Sequence, residues 1–272
     1  MMRLPLIEPE NDRAVDMRQV ERMVDAFIER GFTYFDTAYM YHDFTSECVA
    51  REALVKRHAR DSFTLASKLP TMFLKKEDDQ ERIFGEQLVK CGVDYFDYYL
   101  LHDVGHDFYK KYTELDCFRW LADKKEAGLV RHIGFSSHTP SVANRVLDTG
   151  VIDMMMFSIN PAYDLEQGDE LGIGSTSERA ALFRRCESMG VGISVMKPFH
   201  GGKLLDEKTS PFHTAMTRFQ CIQYALDRPG VLAVVPGVRD LKDLNALLGF
   251  AGAPDEEKEV FNERLHSVPA GP

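Results

Sequence analysis

The chain has 272 residues, 44% of them hydrophobic, with a formal net charge of −10. That length suits one large α/β domain or two modest ones, and the acidic balance argues against a non-specific nucleic-acid binder, which would carry a basic surface. Five scattered cysteines without a C-x-x-C pair argue against a zinc ribbon or cluster and for free thiols in a reducing cytoplasm. No apolar run approaches the roughly 20 residues of a membrane span, and Met1 to Leu6 lacks the apolar core of a signal peptide, so a soluble cytoplasmic protein is expected.

In chain order, residues 7 to 16 read as a charged loop. Val20, Met23, Val24, Phe27 and Ile28 fall at helical spacing within Arg18 to Arg30, and Gly31 ends that helix. Phe32 to Ala38 reads as a strand. Thr45 can cap a helix running to about His58, Ser62 to Leu69 is a strand stopped by Pro70, and Asp78 to Lys90 is a helix. Tyr95 to Leu101 has almost no polar alternation, the mark of a strand buried on both faces in a parallel sheet.

A helix is expected over Leu115 to Ala127, a strand over His132 to Ser136, a helix over Pro140 to Thr149 and a strand over Asp153 to Ile159. Then follow a helix (Thr176 to Met189), a strand (Gly192 to Met196), a helix (Thr214 to Leu226), a strand (Val231 to Val235) and two helices (Leu241 to Phe250, Glu256 to Leu265). Val104 to Tyr112 and Tyr163 to Ser177 read as polar loops. The alternation predicts a parallel α/β fold, and the length favours a (β/α)8 TIM barrel in one domain, 1-272. A Rossmann fold would need G-x-G-x-x-G at its first strand–helix turn, which is absent. Only seven clear strands are found. Met1 to Leu6 is a poor eighth, so the first strand is expected to be missing or incomplete, its place partly filled by the N-terminal residues or by another copy of the chain.

Chemistry concentrates where apolar strands end in polar residues: Asp36 and, just beyond, Tyr41; Lys68; His102; Ser136 and Ser137. In a parallel barrel these ends meet on one face. A lysine ending a buried strand needs a partner, and Asp36 is the natural one. Such a pair beside Tyr41 would stabilise a phenolate and lower the phenol pKa, making Tyr41 a proton donor near neutrality. His102 can hydrogen-bond the same small oxygen atom. The set suits proton delivery to a carbonyl oxygen while hydride arrives at carbon. The same residues also allow two other classes: a Schiff-base aldolase using Lys68, and a nucleotide-binding, sensing or interaction barrel with little turnover.

Phe35-Asp36-Thr37-Ala38-x-x-Tyr41, Ser67-Lys68-Leu69, Tyr98-Tyr99-Leu100-Leu101-His102, Gly134-Phe135-Ser136-Ser137-His138 and Val235-Pro236-Gly237-Val238-Arg239 together resemble the aldo/keto reductase family, in its order and spacing, over about residues 17 to 250. The resemblance implies an oxidoreductase that reduces a small aldehyde or ketone with NADPH, or NADH. Asp36 would orient Lys68, Lys68 would tune Tyr41 as general acid, and His102 would position the carbonyl. By the same resemblance Ser136, Ser137 and Ser158 stand where the nicotinamide amide is held, Ser158 in place of a frequent Gln. Met196 replaces a stacking aromatic. Lys197, Gly201 and Gly202 match the pyrophosphate loop. Gly237 and Arg239, with Lys242 near, lie where a 2′-phosphate is read, although Asp243 weakens the case for NADP over NAD.

No metal, nucleic-acid or membrane partner is implied. Met2-Arg3-Leu4-Pro5 resembles the sequence following the first Gly-rich turn in a bacterial subgroup that often carries a ferredoxin-like C-terminal domain. No counterpart of that domain is read before Pro272. An exposed sheet edge would favour a homo-oligomer, and the subgroup suggests a redox partner.

Overall fold

The computed structural model describes residues Met1–Glu259. By backbone proximity the chain divides into two compact units. The first comprises 1–136, 146–153 and 237–248, and the second the remaining described residues.

The first unit opens with a charged segment whose one bridge, Leu6 with Val15, is internal and antiparallel. Met1 to Leu6 therefore forms no strand beside the sheet. Helix α1 (Met17–Glu29) starts at Asp16, whose side chain accepts the Gln19 N–H, and buries Val20, Met23 and Val24. It ends where Gly31 takes φ +83°, a conformation that favours glycine. Strand β1 (Tyr34–Asp36) is shorter than expected. Helix α2 (Ser46–Ala50) continues as a π-turn over Arg51–Val55. Then follow β2 (Thr64–Leu69), α3 (Asp78–Cys91) and β3 (Phe96–Leu101).

The stretch from Val104 to Tyr112, expected as loop, contains helix α4 (His106–Glu114), which buries Tyr112. Helix α5 (Cys117–Glu126) and strand β4 (Val130–Ser137) come next. Strands β1 to β4 pair in chain order, all parallel, with Asp36 opposite Ala66, Lys68 opposite Leu100, and Leu101 opposite Phe135. Leu65, Leu69, Tyr99, Leu101 and Phe135 are fully enclosed. Each such side chain contributes on the order of 2 kcal/mol to folding. Sheet residues thus hold the polar strand ends on a rigid base.

Helix α6 (Pro140–Leu147) leads to the second unit's strands: β5 (Met154–Ser158), β6 (Gly192–Met196) and β7 (Val231–Val235), again parallel. Helix α7 (Thr176–Met189) has the expected bounds, because Ser175 and Glu178 form a reciprocal capping box and Gly190 closes the helix at φ +69°. Helix α8 (Arg218–Leu226) begins four residues later than expected, at the Thr217–Gln220 capping box. Helix α9 (Leu241–Leu248) belongs to the first unit, where Leu244 and Leu248 pack on Met23. Of the helix expected at Glu256 to Leu265, the described part is one turn, Asp255–Lys258; Glu259 has left the helix, and residues 260–265 lie outside the described residues. Among the described residues no helix is long and apolar enough to cross a membrane.

Candidate active site

The centre of the first unit's site is Lys68, the fifth residue of β2 and fully buried. Its ammonium donates to both Asp36 oxygens, at 2.6 and 2.8 Å, and to the Thr37 carbonyl at 2.7 Å. All three of its protons are thereby placed. Burial works against the charge, but Asp36 and Tyr41 outweigh it and hold the lysine pKa above its ordinary value. The ammonium also lies 4.9 Å from the centre of the Tyr41 ring.

Tyr41 meets His102 edge-on, with ring centres 5.8 Å apart. Lys68 acts on the phenol through its charge, in the direction expected. Burial is the larger influence, however, and the pKa of Tyr41 is raised rather than lowered. The phenol is therefore protonated at neutral pH: it holds a proton to give, and the expectation of a phenol tuned down toward neutrality is corrected. His102 follows the last residue of β3. Burial, then the charge of Lys68, pushes its pKa down to about 3. It is neutral, and its Nδ1 is enclosed without a hydrogen-bond partner. Its backbone is fixed by N–H bonds to the Leu69 carbonyl at 3.1 Å and the Tyr112 hydroxyl at 3.0 Å.

Behind Lys68 runs a buried polar chain that was not anticipated. Ser67 Oγ and Gln87 Nε2 each donate to Glu47 Oε1 at 2.6 Å. Gln87 Nε2 also reaches the Lys68 carbonyl at 3.1 Å. Burial raises the Glu47 pKa. Glu47, six residues after Tyr41, was visible in the sequence as a carboxylate on the next helix. Tyr112, which supports His102, carries no such signal, because the polar composition around it points to a loop.

The remaining candidates fall in both units. In the first, Ser136 Oγ accepts the Asp103 N–H at 2.8 Å, which leaves its own proton to donate. Arg239 and Gly237 are exposed, and the Arg3 side chain packs against Gly237, 3.2 Å from where a Cβ would stand. In the second unit, Ser137 Oγ accepts the Thr139 N–H at 3.2 Å, and Ser158 Oγ pairs with His138 Nδ1 at 3.1 Å. Met196 ends β6. The Lys197 carbonyl accepts from Asn160 Nδ2 at 2.9 Å. Gly201 and Gly202 take φ of +68° and +101°, and a Cβ on either would meet nothing within 4 Å.

A parallel α/β scaffold whose strand ends carry a buried lysine–carboxylate pair, a protonated phenol and a neutral imidazole defines a narrow class. A family model described as the aldo/keto reductase family matches residues 7–220. The chain belongs to the aldo/keto reductase family. It is 24% identical over 203 residues to the aldo-keto reductase AKR2E4 of Bombyx mori, covering 66% of this chain and 56% of that protein. It is 34% identical over 131 residues to 2,5-diketo-D-gluconic acid reductase B of a Corynebacterium strain, covering 46% of this chain and 44% of that one. The chain thus spans about half the length of these curated relatives.

Among solved structures, the holo form of aldo-keto reductase AKR11C1 from Bacillus halodurans superposes with a TM-score of 0.69 at 20% identity, over 92% of this chain and 87% of that one. An aldo-keto reductase from Klebsiella pneumoniae in complex with NADPH gives 0.69 at 18% identity, over 97% and 88%. These likenesses establish the fold as that of the family's barrel, here with seven strands among the described residues.

Proposed function

We propose that the chain reduces a small aldehyde or ketone to the alcohol, with Tyr41 as the proton donor and NADPH as the hydride source. The observation that carries this reading is the ammonium of Lys68, bonded to both Asp36 oxygens and lying 4.9 Å from the Tyr41 ring centre. The bound cofactor would supply hydride to the carbonyl carbon. Negative charge then gathers on the substrate oxygen, and a proton must reach it. Tyr41 gives that proton. Lys68 stabilises the phenolate left behind, and Asp36 keeps Lys68 charged and in place. Neutral His102 donates a hydrogen bond to the same oxygen and fixes the carbonyl's direction without competing as an acid, since its pKa is down at about 3.

Ser136, Ser137 and Ser158 are assigned to the nicotinamide amide, and Met196 to its ring. Lys197, Gly201 and Gly202 are assigned to the pyrophosphate, and Gly237 and Arg239 to the far phosphate. The family membership, the NADPH in the Klebsiella pneumoniae structure and the open backbone at Gly201 and Gly202 support these roles.

The aldolase alternative fits poorly. An amine that donates all three protons to acceptors and whose pKa is raised has no lone pair for carbonyl attack. The test is NADPH and NADH binding to the purified chain, followed by fluorescence, and then cofactor oxidation with a panel of aldehydes and ketones. Saturable binding with carbonyl-dependent oxidation is the expected result. Binding without oxidation across the panel would favour the sensing role, and binding of neither nucleotide would overturn the reductase reading.

A further inference from the structure

The turn that follows Tyr41 is strained. His42, Asp43 and Phe44 have φ of 51°, 47° and 68°, three consecutive non-glycine residues in the left-handed region. Each such residue costs about 1–2 kcal/mol relative to ordinary backbone, so the turn persists only where its surroundings hold it. Any relaxation would begin one peptide bond from Tyr41.

The side chain best placed to hold it is His42, buried at 8% exposure. The Leu4 N–H donates to its Nε2 at 3.0 Å, and its Nδ1 faces the Asp12 carbonyl at 3.1 Å. A backbone N–H can only donate and a carbonyl can only accept. Nε2 therefore accepts from Leu4 and Nδ1 donates to Asp12. One imidazole thus ties two points of the N-terminal segment to the turn. Other contacts are weaker or local. Arg13 meets Asp43 at 2.5 Å, but both side chains are about half exposed, and exposed pairs contribute little. Thr45 Oγ1 donates to the His42 carbonyl at 2.6 Å, and the Phe44 ring packs edge-on against Tyr39 and Phe73.

We propose that His42 is a positioning residue: by fastening Leu4 and Asp12 to the left-handed turn, it holds the Tyr41 phenol against Lys68 and His102. Its catalytic consequence rests on the reading of Tyr41 as proton donor, while its structural content does not. The segment from Leu4 to Asp12, which forms no strand of the sheet, thereby gains a role at the site.

The test labels tyrosine with carbon-13 in the full chain and assigns the Tyr41 resonance by its disappearance in Tyr41→Phe. In His42→Ala the Tyr41 resonance is expected to move while those of Tyr99 and Tyr112 stay. Carbonyl-dependent kcat should fall roughly tenfold to a hundredfold, as misplacement by about 1 Å does, with NADPH affinity within about twofold. His42→Gln, whose amide oxygen can accept the Leu4 N–H, should recover part of the loss. Should His42→Ala fail to fold, Leu4→Pro removes one donor and is read the same way. An unmoved Tyr41 resonance overturns the proposal. So does a rate loss that follows cofactor affinity or melting temperature and is not recovered by Gln. If Tyr41→Phe keeps full activity, the proton-donor reading fails, and the resonance shift alone still decides whether His42 holds the ring.

Discussion

Each unit of the molecule contains a buried ion pair, and the two differ in what surrounds them. In the second unit, Arg179 is fully enclosed and donates to Asp164 at 2.7 Å, to the Ser158 carbonyl at 2.5 Å and to the Ile173 carbonyl at 3.3 Å. Its guanidinium packs over Phe157 and Phe183, and the other Asp164 oxygen takes the Tyr224 hydroxyl at 3.1 Å. These contacts of the pair are apolar rings or groups that are themselves paired. In the first unit, Lys68 is as deeply buried and as fully bonded, yet beside it stand a phenol that holds its proton and an imidazole with an enclosed, unpartnered nitrogen. A buried ion pair is by itself an element of architecture. The one at Lys68 becomes a candidate for catalysis because its field falls on groups with unused hydrogen-bonding capacity.

Removing each cation is the strongest way to sharpen that contrast. Lys68→Met and Arg179→Met each leave a buried carboxylate without its partner, and each should destabilise the fold by roughly 3–5 kcal/mol in denaturant unfolding. Their kinetics should diverge. Arg179→Met, which frees the Ser158 carbonyl but touches neither Tyr41 nor His102, should lose far less turnover per folded molecule than Lys68→Met, which should lose it even where it is folded. Equal kinetic losses would erase the distinction between the two ion pairs.

A second expectation concerns the unpartnered imidazole. Unfolded histidine takes up a proton near pH 6.5, while His102 in the fold does so only at about 3. Between those values the unfolded state binds more protons, so the stability owed to neutral His102 is complete above pH 6.5 and declines as pH falls toward 3. Nitrogen-15 NMR should find His102 neutral at pH 5. A charged imidazole there would mean that the site is wetter than described.

The smallest expected effect lies in the second unit's glycine loop. Gly202 sits at φ +101° with open space where a Cβ would stand. Gly202→Ala should cost about 1 kcal/mol through backbone strain alone. If the loop carries the pyrophosphate, the same change should weaken NADPH binding as well. Unchanged affinity would remove Gly202 from the proposed cofactor contacts.

Much of this was legible in the sequence, for identifiable reasons. Strands such as Gly192–Met196 and Val231–Val235 and the helix Thr176–Met189 were bounded correctly, because apolar runs, capping residues and terminal glycines are local signals. The pairing of Asp36 with Lys68 followed from strand ends alone. What escaped depended on distant partners. Thr45 was read as a helix cap, yet its hydroxyl turns back to the His42 carbonyl. Nothing in His42-Asp43-Phe44 announces three left-handed residues, because no glycine stands there and the hold comes from Leu4 and Asp12, at least 30 residues earlier in the chain. The direction of the Tyr41 pKa was missed for a related reason: a sequence places the charge of Lys68 beside the phenol but does not measure how far both are withdrawn from water.

The central claim is that Tyr41 delivers the proton during carbonyl reduction, and single-turnover oxidation of bound NADPH tests it most directly. With a carbonyl substrate that the wild-type chain reduces, Tyr41→Phe should bind NADPH with unchanged affinity and oxidise it about 10²–10⁴-fold more slowly, the usual contribution of a positioned general acid. A Tyr41→Phe chain that oxidises bound NADPH at the wild-type rate would contradict the account.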